Sequence, residues 1–317
     1  MARLARLGEQ GFIDLIARLA RPVRPRPTVG IGDDAAVLDL PRKAQVLLTT
    51  DLLTEGVHFR TAYTPGVLLG RKALAVNLSD IAAMGGVPHS CVVSVGFPRA
   101  TTVAYARALA SGIAAQARRH GVALVGGDTC AARALFVNVA LLGLVEPGRA
   151  VRRAGARPGD ALFVTGSLGA AAAGLALLRG AEKRPGRRGE RGRGAVSRAL
   201  QAAAIRAHLD PTPRVQAGRA LGVIGLATAM IDLSDGLSQD LHHLCSAGGT
   251  GAVIEAAAIP VAPAARALLG PARALDAALA GGEDYELLFT VRPRHTPLVA
   301  RLARRLRLPM TRIGETL

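Results

Sequence analysis

The sequence predicts an α/β protein of two domains, and three observations carry that reading. Short apolar runs alternate with stretches of helical periodicity, a rhythm that argues α/β architecture. The chain has 317 residues, 50% of them hydrophobic, which supplies a sizeable core and exceeds what one domain usually holds. Near the middle, "EPGRAVRRAGARPGD" (146–160) combines Pro, Gly and Arg in the manner of a domain junction, so the expected domains are 1–145 and 146–317. With aromatics at 3% and no Trp, the core must be built from Ala, Leu and Val.

From the N-terminus, residues 9–20 repeat their apolar positions at helical spacing. "RPVRPRP" then ends that helix, because proline removes a donor and restricts the residue before it. "VLLTTD" (46–51) reads as a buried strand, and 67–84 as a helix stopped by Gly85 and Gly86, a C-cap signal. "SCVVSVGF" (90–97) is a strand, 102–120 a helix, "GVALVGGD" (121–128) a strand running into a tight loop, and "ALFVNVALLGLV" (134–145) a further strand. Past the junction, the strand "ALFVTG" (161–166) precedes the helix "AAAAGLALL" (170–178), and the strand "AMIDLS" (229–234) precedes the helix "GLSQDLHHLC" (236–245). The Arg- and Gly-rich segment 182–194 reads as a flexible loop insertion.

The formal net charge of +17 and a pI near 11.4 raise a nucleic-acid reading. The excess is nearly all Arg, much of it in 3–26, 182–194 and "RLARRLRLPMTR", and no stacking aromatics interleave with it. Such stretches are more often solvated faces than binding grooves, so no nucleic-acid partner is expected. Cys91, Cys130 and Cys245 stand alone, without CxxC and in odd number; this argues against structural zinc and a disulfide framework, and for a reducing compartment. The first residues break their apolar pattern with Glu9 and Asp14 and offer no secretory core or cleavage site. Residues 161–178 are uncharged, yet they begin as a strand and a turn, so a buried strand–helix unit is expected and no membrane span. The expected location is cytoplasmic.

Against this basic background the acids cluster. "VGIGDDAAVL", "LLTTDLLTEGVHF", "KALAVNLSDIAAMGG", "ALVGGDTC" and "MIDLSDG" place carboxylates where an apolar run meets a turn, and "GGEDYELLF" places them just before a strand. Turn and cap chemistry explains each alone; Asp235 stands where it would cap the following helix. Together, Asp34, Asp51, Asp80, Asp128, Asp232 and Asp235 are carboxylates that a compact fold can bring to one rim, and such a group repels itself unless cations neutralise it. Oxygen donors without nearby Cys select Mg²⁺ over zinc, and Mg²⁺ usually bridges carboxylates to substrate phosphates, which indicates a nucleotide enzyme. The common phosphate loops are missing. Lys72 lacks the glycine spacing of GxxxxGK[ST], and Gly30-Ile31-Gly32 carries Asp33 and Asp34 where a dinucleotide fingerprint would continue. "GSLGAAAAG" is a weak phosphate-loop signal that tight packing explains as well, and Arg153 is either a phosphate clamp or a solvated arginine. Asn77 and Asp80, three apart on a helix, project to one face. His58, in an apolar loop after Asp51, is either a phosphate contact or structural. His242, His243 and Tyr285 read as structural, with Tyr285 packing in a strand, and Asp240 reads as a helix-surface residue.

Taken in order, "GIGDDAAVL", "TTDLLTEGVHF", "KALAVNLSDIAAMGG", "GGDT", "IDLSDGLSQDL" and "GGEDYELLFTV" resemble the thiamine-monophosphate kinase family over residues 29–314. That family belongs to the superfamily containing aminoimidazole ribonucleotide synthetase and selenophosphate synthetase. The resemblance implies direct transfer of the γ-phosphoryl group of ATP to the phosphate of thiamine monophosphate, with several Mg²⁺ ions and no phosphoenzyme, as the final step of thiamine diphosphate biosynthesis. By motif it implies Asp34, Thr49, Thr50, Asp51, Asp80, Asp128, Asp232 and Asp235 as metal ligands. Gly127, Asp128, Arg153 and Ser234 would contact ATP, and His58 and Glu283 the thiamine phosphate. It also implies a homodimer: the sheets of N-terminal α/β domains that bind ATP and Mg²⁺ pair into a barrel, and a C-terminal α/β domain closes over the site. Such chemistry needs positioning and charge neutralisation rather than a protein nucleophile. Selenophosphate synthetases carry a reactive Cys (or selenocysteine) and a Lys near the N-terminus, whereas the first Cys here is Cys91, inside a strand-like run. The family usually continues past "TRIGETL" to an aromatic-containing segment that helps enclose the thiamine; without it, another residue covers the rings or binding is weaker.

Overall fold

A computed structural model describes residues 8–20, 26–28, 31, 36, 38–183 and 196–317. Asp34 and nearly all of the 182–194 segment lie outside the described residues. Two compact units are present. One holds the described residues up to Ile81 together with Val87–Pro147; the other holds Ala82–Gly86 and the described residues from Gly148 to Leu317.

The first unit contains α1 (Gly8–Ala20), β1 (Gln45–Thr54), most of α2 (Gly66–Ala83), β2 (Val87–Phe97), α3 (Val103–His120), β3 (Ala123–Ala131) and β4 (Phe136–Val145). Its sheet has the order β1-β4-β2-β3, with β4 antiparallel to both neighbours and β3 parallel to β2. Thr102 starts α3 by accepting a bond from the Tyr105 N–H at 3.2 Å, and Gly121, left-handed at φ 66°, ends it. Helices α2 and α3 cross at bare backbone. A Cβ on Gly70 would lie 2.1 Å from the Leu109 carbonyl oxygen, and one on Gly112 2.0 Å from that of Val67. The sheet's inner face is buried through Val137, Val139 and Leu141 of β4. Its other face stays open and apolar: Val46, Leu48 and Leu52 of β1 and Val92 of β2 are 49%, 75%, 51% and 39% exposed.

The second unit runs through β5 (Ala161–Thr165), α4 (Ala170–Lys183), α5 (Arg198–Leu209), α6 (Val215–Val223), β6 (Ala227–Asp232), α7 (Leu237–Gly248) and β7 (Ala252–Ile254). It continues with α8 (Pro263–Leu269), α9 (Pro271–Ala280), β8 (Leu287–Val291), α10 (Thr296–Leu306) and β9 (Met310–Thr316). The sheet order is β6-β8-β5-β9-β7, antiparallel throughout. Both faces are covered, so strand residues alternate between two cores. Leu162, Val164, Ile231 and Leu288 enter one core with the alanines of α5, α8 and α9; Phe163, Met230, Leu287 and Phe289 enter the other with α6 and α10. Phe163 stacks on Phe289 at 5.6 Å between ring centroids. Residues 161–178 form β5, a turn and the start of α4, and among the described residues no helix is long and apolar enough to cross a membrane.

Candidate functional site

In the first unit, strand alternation sorts the residues of "TTD". Thr49 and Asp51 face α2, where the Thr49 hydroxyl donates to Asp80 Oδ2. Burial, and then the charge of Asp80, pushes the Asp51 carboxyl up to about 6. Two acids and a hydroxyl therefore share one low-dielectric corner. The Thr50 side chain leaves on the open face, where its hydroxyl donates to Asn138 Oδ1 at 3.0 Å. It does not join the corner; only its backbone carbonyl could serve a cation there.

The glycines of "ALVGGD" do not form the expected loop, because β3 continues through them to Ala131. A Cβ on Gly127 would sit 2.0 Å from the Val93 carbonyl oxygen, so the close approach of β3 to β2 demands glycine. Asp51, Val139, Val93 and Gly127 lie in one row across the four strands. At a strand spacing of about 4.8 Å, that row places Gly127 roughly 14 Å from Asp51. Asp128 follows on the opposite face, exposed, its Oδ1 accepting the Thr129 N–H at 2.8 Å. Within this unit Asp128 thus stands apart from the Asp51–Asp80 corner and would need its own cation. The carboxylates Asp51, Asp80 and Asp128 belong to the interiors of β1, α2 and β3 rather than to loop ends. His58 is exposed in the turn after β1 and accepts the Thr54 N–H at Nδ1, 3.1 Å away. That bond fixes the neutral tautomer with its proton on Nε2, a donor suited to a phosphate oxygen.

In the second unit, two loops are zipped together beyond the paired ends of β6 and β8. The Glu283 N–H donates to the Ser234 carbonyl and the Tyr285 N–H to that of Leu233, both at 2.8 Å; Leu233 N–H donates back to Glu286 at 2.8 Å. This brings Asp232 (buried), Ser234 (half-buried), Asp235 (exposed) and Glu283 to one rim. Arg153 lies exposed in a 3-10 turn, Arg153–Gly155, that packs against β6 and α7.

Several smaller expectations are corrected here. Asp235 does not cap α7; the cap residue is Gly236, with no side-chain bond to the helix. Asp240 is not a surface residue. It is buried, its Oδ2 accepts the N–H groups of Asp235 and Gly236 at 3.1 Å each, and burial raises its pKa. It holds the turn that carries Asp235. The phosphate-loop signal "GSLGAAAAG" is answered by the chain itself: Asp284 accepts the Gly169 N–H at 2.7 Å and the Ala171 N–H at 3.5 Å, so a carboxylate already sits at the start of α4. Burial foremost pushes Asp284 up to about 7. Tyr285 packs, as expected, but before the strand rather than in it.

Sequence reasoning missed the supports of this rim. Glu283 and Tyr285 have left-handed backbones at φ 59° and 50°, each costing about 1–3 kcal/mol unless the surroundings hold it. Every acid of "GEDYE" has its own holder. His208 at the end of α5 brings Nδ1 to 2.8 Å from Glu283 Oε2. Asp284 is held by α4. Glu286 receives the Arg214 guanidinium through both Nε, at 2.6 Å, and Nη2, as well as the Thr165 hydroxyl at 2.6 Å. The run of three acids in five residues was the signal; their partners, over 70 residues away, left none.

Oxygen-only donors, two of them acids that raise each other's cost of ionisation, suit Mg²⁺, which commonly takes one or two carboxylates and completes its shell with water and phosphate. Among the described residues no group of three or more His, Cys, Asp and Glu converges on one point. Cys91 is buried and its thiol is pushed up to about 12, so it is no nucleophile.

Two family models match, "AIR synthase related protein, N-terminal domain" over residues 32–145 and "AIR synthase related protein, C-terminal domain" over 157–317. The thiamine-monophosphate kinase of Salmonella typhimurium is 39% identical over 309 residues, covering 96% of this chain and 90% of its own length. The crystal structure of thiamine-monophosphate kinase from Stenotrophomonas maltophilia K279a superposes with a TM-score of 0.85 at 38% identity, over 96% of this chain and 92% of that one. A solved structure of AaThiL complexed with AMPPCP and TMP gives a TM-score of 0.75 at 34% identity, over 100% and 93%. With identity at this level across both domains, the chain belongs to the thiamine-monophosphate kinase family.

Proposed function

We propose that the protein transfers the γ-phosphoryl group of ATP in line to a phosphate oxygen of thiamine monophosphate, forming that P–O bond as the bond to ADP breaks. The observation that carries this reading is the half-buried corner where the Thr49 hydroxyl donates to Asp80 and where burial and the charge of Asp80 push the Asp51 carboxyl up to about 6. The family supports it, as does the relative whose solved complex holds AMPPCP and TMP. Mg²⁺ would be held by Thr49, Asp51 and Asp80 in the first unit, with Asp34 and the Thr50 carbonyl, a separate ion there by Asp128, and in the second unit by Asp232 and Asp235. Bound there, it would neutralise charge spread over the phosphate oxygens.

The protein's own groups position the reactants. Gly127 and Asp128 offer backbone and carboxylate to the nucleotide, and Arg153 and Ser234 in the second unit offer a guanidinium and a hydroxyl. His58 presents its Nε2 proton to the acceptor phosphate, and Glu283 contacts the acceptor. No side chain takes up the phosphoryl group. The open apolar face of the first unit's sheet supports a homodimer, because a contiguous exposed patch of this kind marks an interface. A cytoplasmic location agrees with this chemistry.

The test is ADP release in the presence of Mg²⁺. It should require thiamine monophosphate and not respond to free thiamine; equal rates without the acceptor would sink the reading. Asp80→Asn and Asp235→Asn should each lower turnover roughly 10- to 100-fold or more without a fall in the thermal midpoint.

A further inference from the structure

We propose that His208 is a positioning residue for the acceptor site: it sets the carboxylate of Glu283, and through it the affinity for thiamine monophosphate. The inference rests on the proposed role of Glu283 as an acceptor contact. His208 is 1% exposed, on the last turn of α5, whereas the Glu283 side chain is 23% exposed at the rim. The imidazole is thus a wall fixed within the fold, and the carboxylate is the part that reaches solvent. Nδ1 comes to 2.8 Å of Oε2, obliquely and outside regular hydrogen-bond angles, while Nε2 meets no hydrogen-bond partner among the described residues. A buried ring brought to 2.8 Å of a carboxylate at the rim constrains where that carboxylate can lie.

The backbone explains why Glu283 needs such a wall. Its backbone is left-handed at φ 59°, and Tyr285 at 50° repeats the bend two residues on. The flanking acids are clamped by the α4 amides and by Arg214, so the main chain at Glu283 has little freedom left. The remaining freedom is the side-chain rotamer, and His208 stands against it at 2.8 Å. Arg214 and His208 lie on either side of the same short connection between α5 and α6, so one segment anchors two of the three acids.

The test uses the full chain, varying ATP and thiamine monophosphate separately and measuring acceptor binding by calorimetry with Mg²⁺ and a non-hydrolysable ATP analogue. His208→Leu should raise the KM for thiamine monophosphate roughly tenfold, a typical size for a lost contact pair, and weaken its binding alike. The kcat and the KM for ATP should stay within about twofold. His208→Asn, whose amide nitrogen falls near the place of Nδ1, should recover most of the loss. In a Glu283→Gln background, His208→Leu should add almost nothing. Equal losses in both backgrounds, or a parallel rise in the KM for ATP, would overturn the proposal. Should His208→Leu fail to fold, His208→Gln, which keeps polarity but carries its nitrogen past Nδ1, serves the same comparison. If Glu283→Gln leaves the acceptor KM untouched while turnover persists, this proposal falls and the kinase reading stands. If the native chain shows no turnover dependent on thiamine monophosphate, the kinase reading falls and takes the proposal with it.

Discussion

Asp51 holds, in the folded chain, a proton that the unfolded chain has already released between about pH 4 and pH 6, because burial and Asp80 push its carboxyl up to about 6. The sign follows. Without metal, this residue's contribution favours the fold most below that window and weakens as pH rises through it. A divalent cation between Asp51 and Asp80 turns repulsion into attraction, so its stabilising effect must grow as both carboxylates ionise. Saturating Mg²⁺ should therefore raise the thermal midpoint by several degrees at about pH 7.5 and far less at about pH 5. Asp51→Asn should remove both the fall and the pH dependence of the metal effect. An equal Mg²⁺ shift at the two pH values would show that the cation sits elsewhere. The pairing of Asp51 with Asp80 was half legible: both stood out as acids beside apolar runs, but only the fold shows that Thr49 turns towards them and Thr50 away. Asp240 was misread for the opposite reason. Its position one turn into a helix says surface, and nothing local reveals that the preceding turn folds back to use its carboxylate.

At the scale of the element, β1 is an edge strand with one face on the core and one apolar face on solvent, Leu48 being 75% exposed. Paired against a second copy, that face would be buried. The native chain should give a dimer in sedimentation analysis and Leu48→Glu a monomer; a variant dimer that persists would place the interface elsewhere. Reading elements from sequence worked where apolar residues are long and the ends are punctuated. Helix α3, with Thr102 before it and Gly121 after it, is the clear case. Strand β3 was cut short at Gly126 and Gly127, because glycine pairs usually mark turns, whereas here the residue that would clash is Val93 on the next strand. Helices α5, α8 and α9 draw much of their buried face from alanine, so no strong apolar stripe announces them. The arginines of α10 hid the reverse case, since Val299 and Leu302 face the core while Arg301, Arg304 and Arg305 face solvent.

For the chain as a whole, a net charge of +17 has to be reconciled with a local concentration of acids. Exposed arginines such as those of α10 set the far field, and the carboxylates set the near one. Both proposed substrates are phosphate anions, which a positive far field gathers before any specific contact is made. Once bound, they meet groups at contact distance, where salt screens little, whereas the far field decays over about 10 Å at 0.1 M salt. The two stages separate in kinetics. Raising NaCl from low ionic strength to about 0.3 M should lower kcat/KM for ATP and for thiamine monophosphate roughly severalfold, and leave kcat nearly constant. Single-stranded DNA should compete with both substrates at low salt and lose its effect by about 0.2 M, as counterion release requires of contacts made by charge alone. If kcat falls with salt while kcat/KM holds, the arginines act in the chemical step and not in encounter. Tight DNA binding that survives the added salt would instead make nucleic acid a ligand in its own right, and the arginine excess would need a second explanation beyond gathering phosphates.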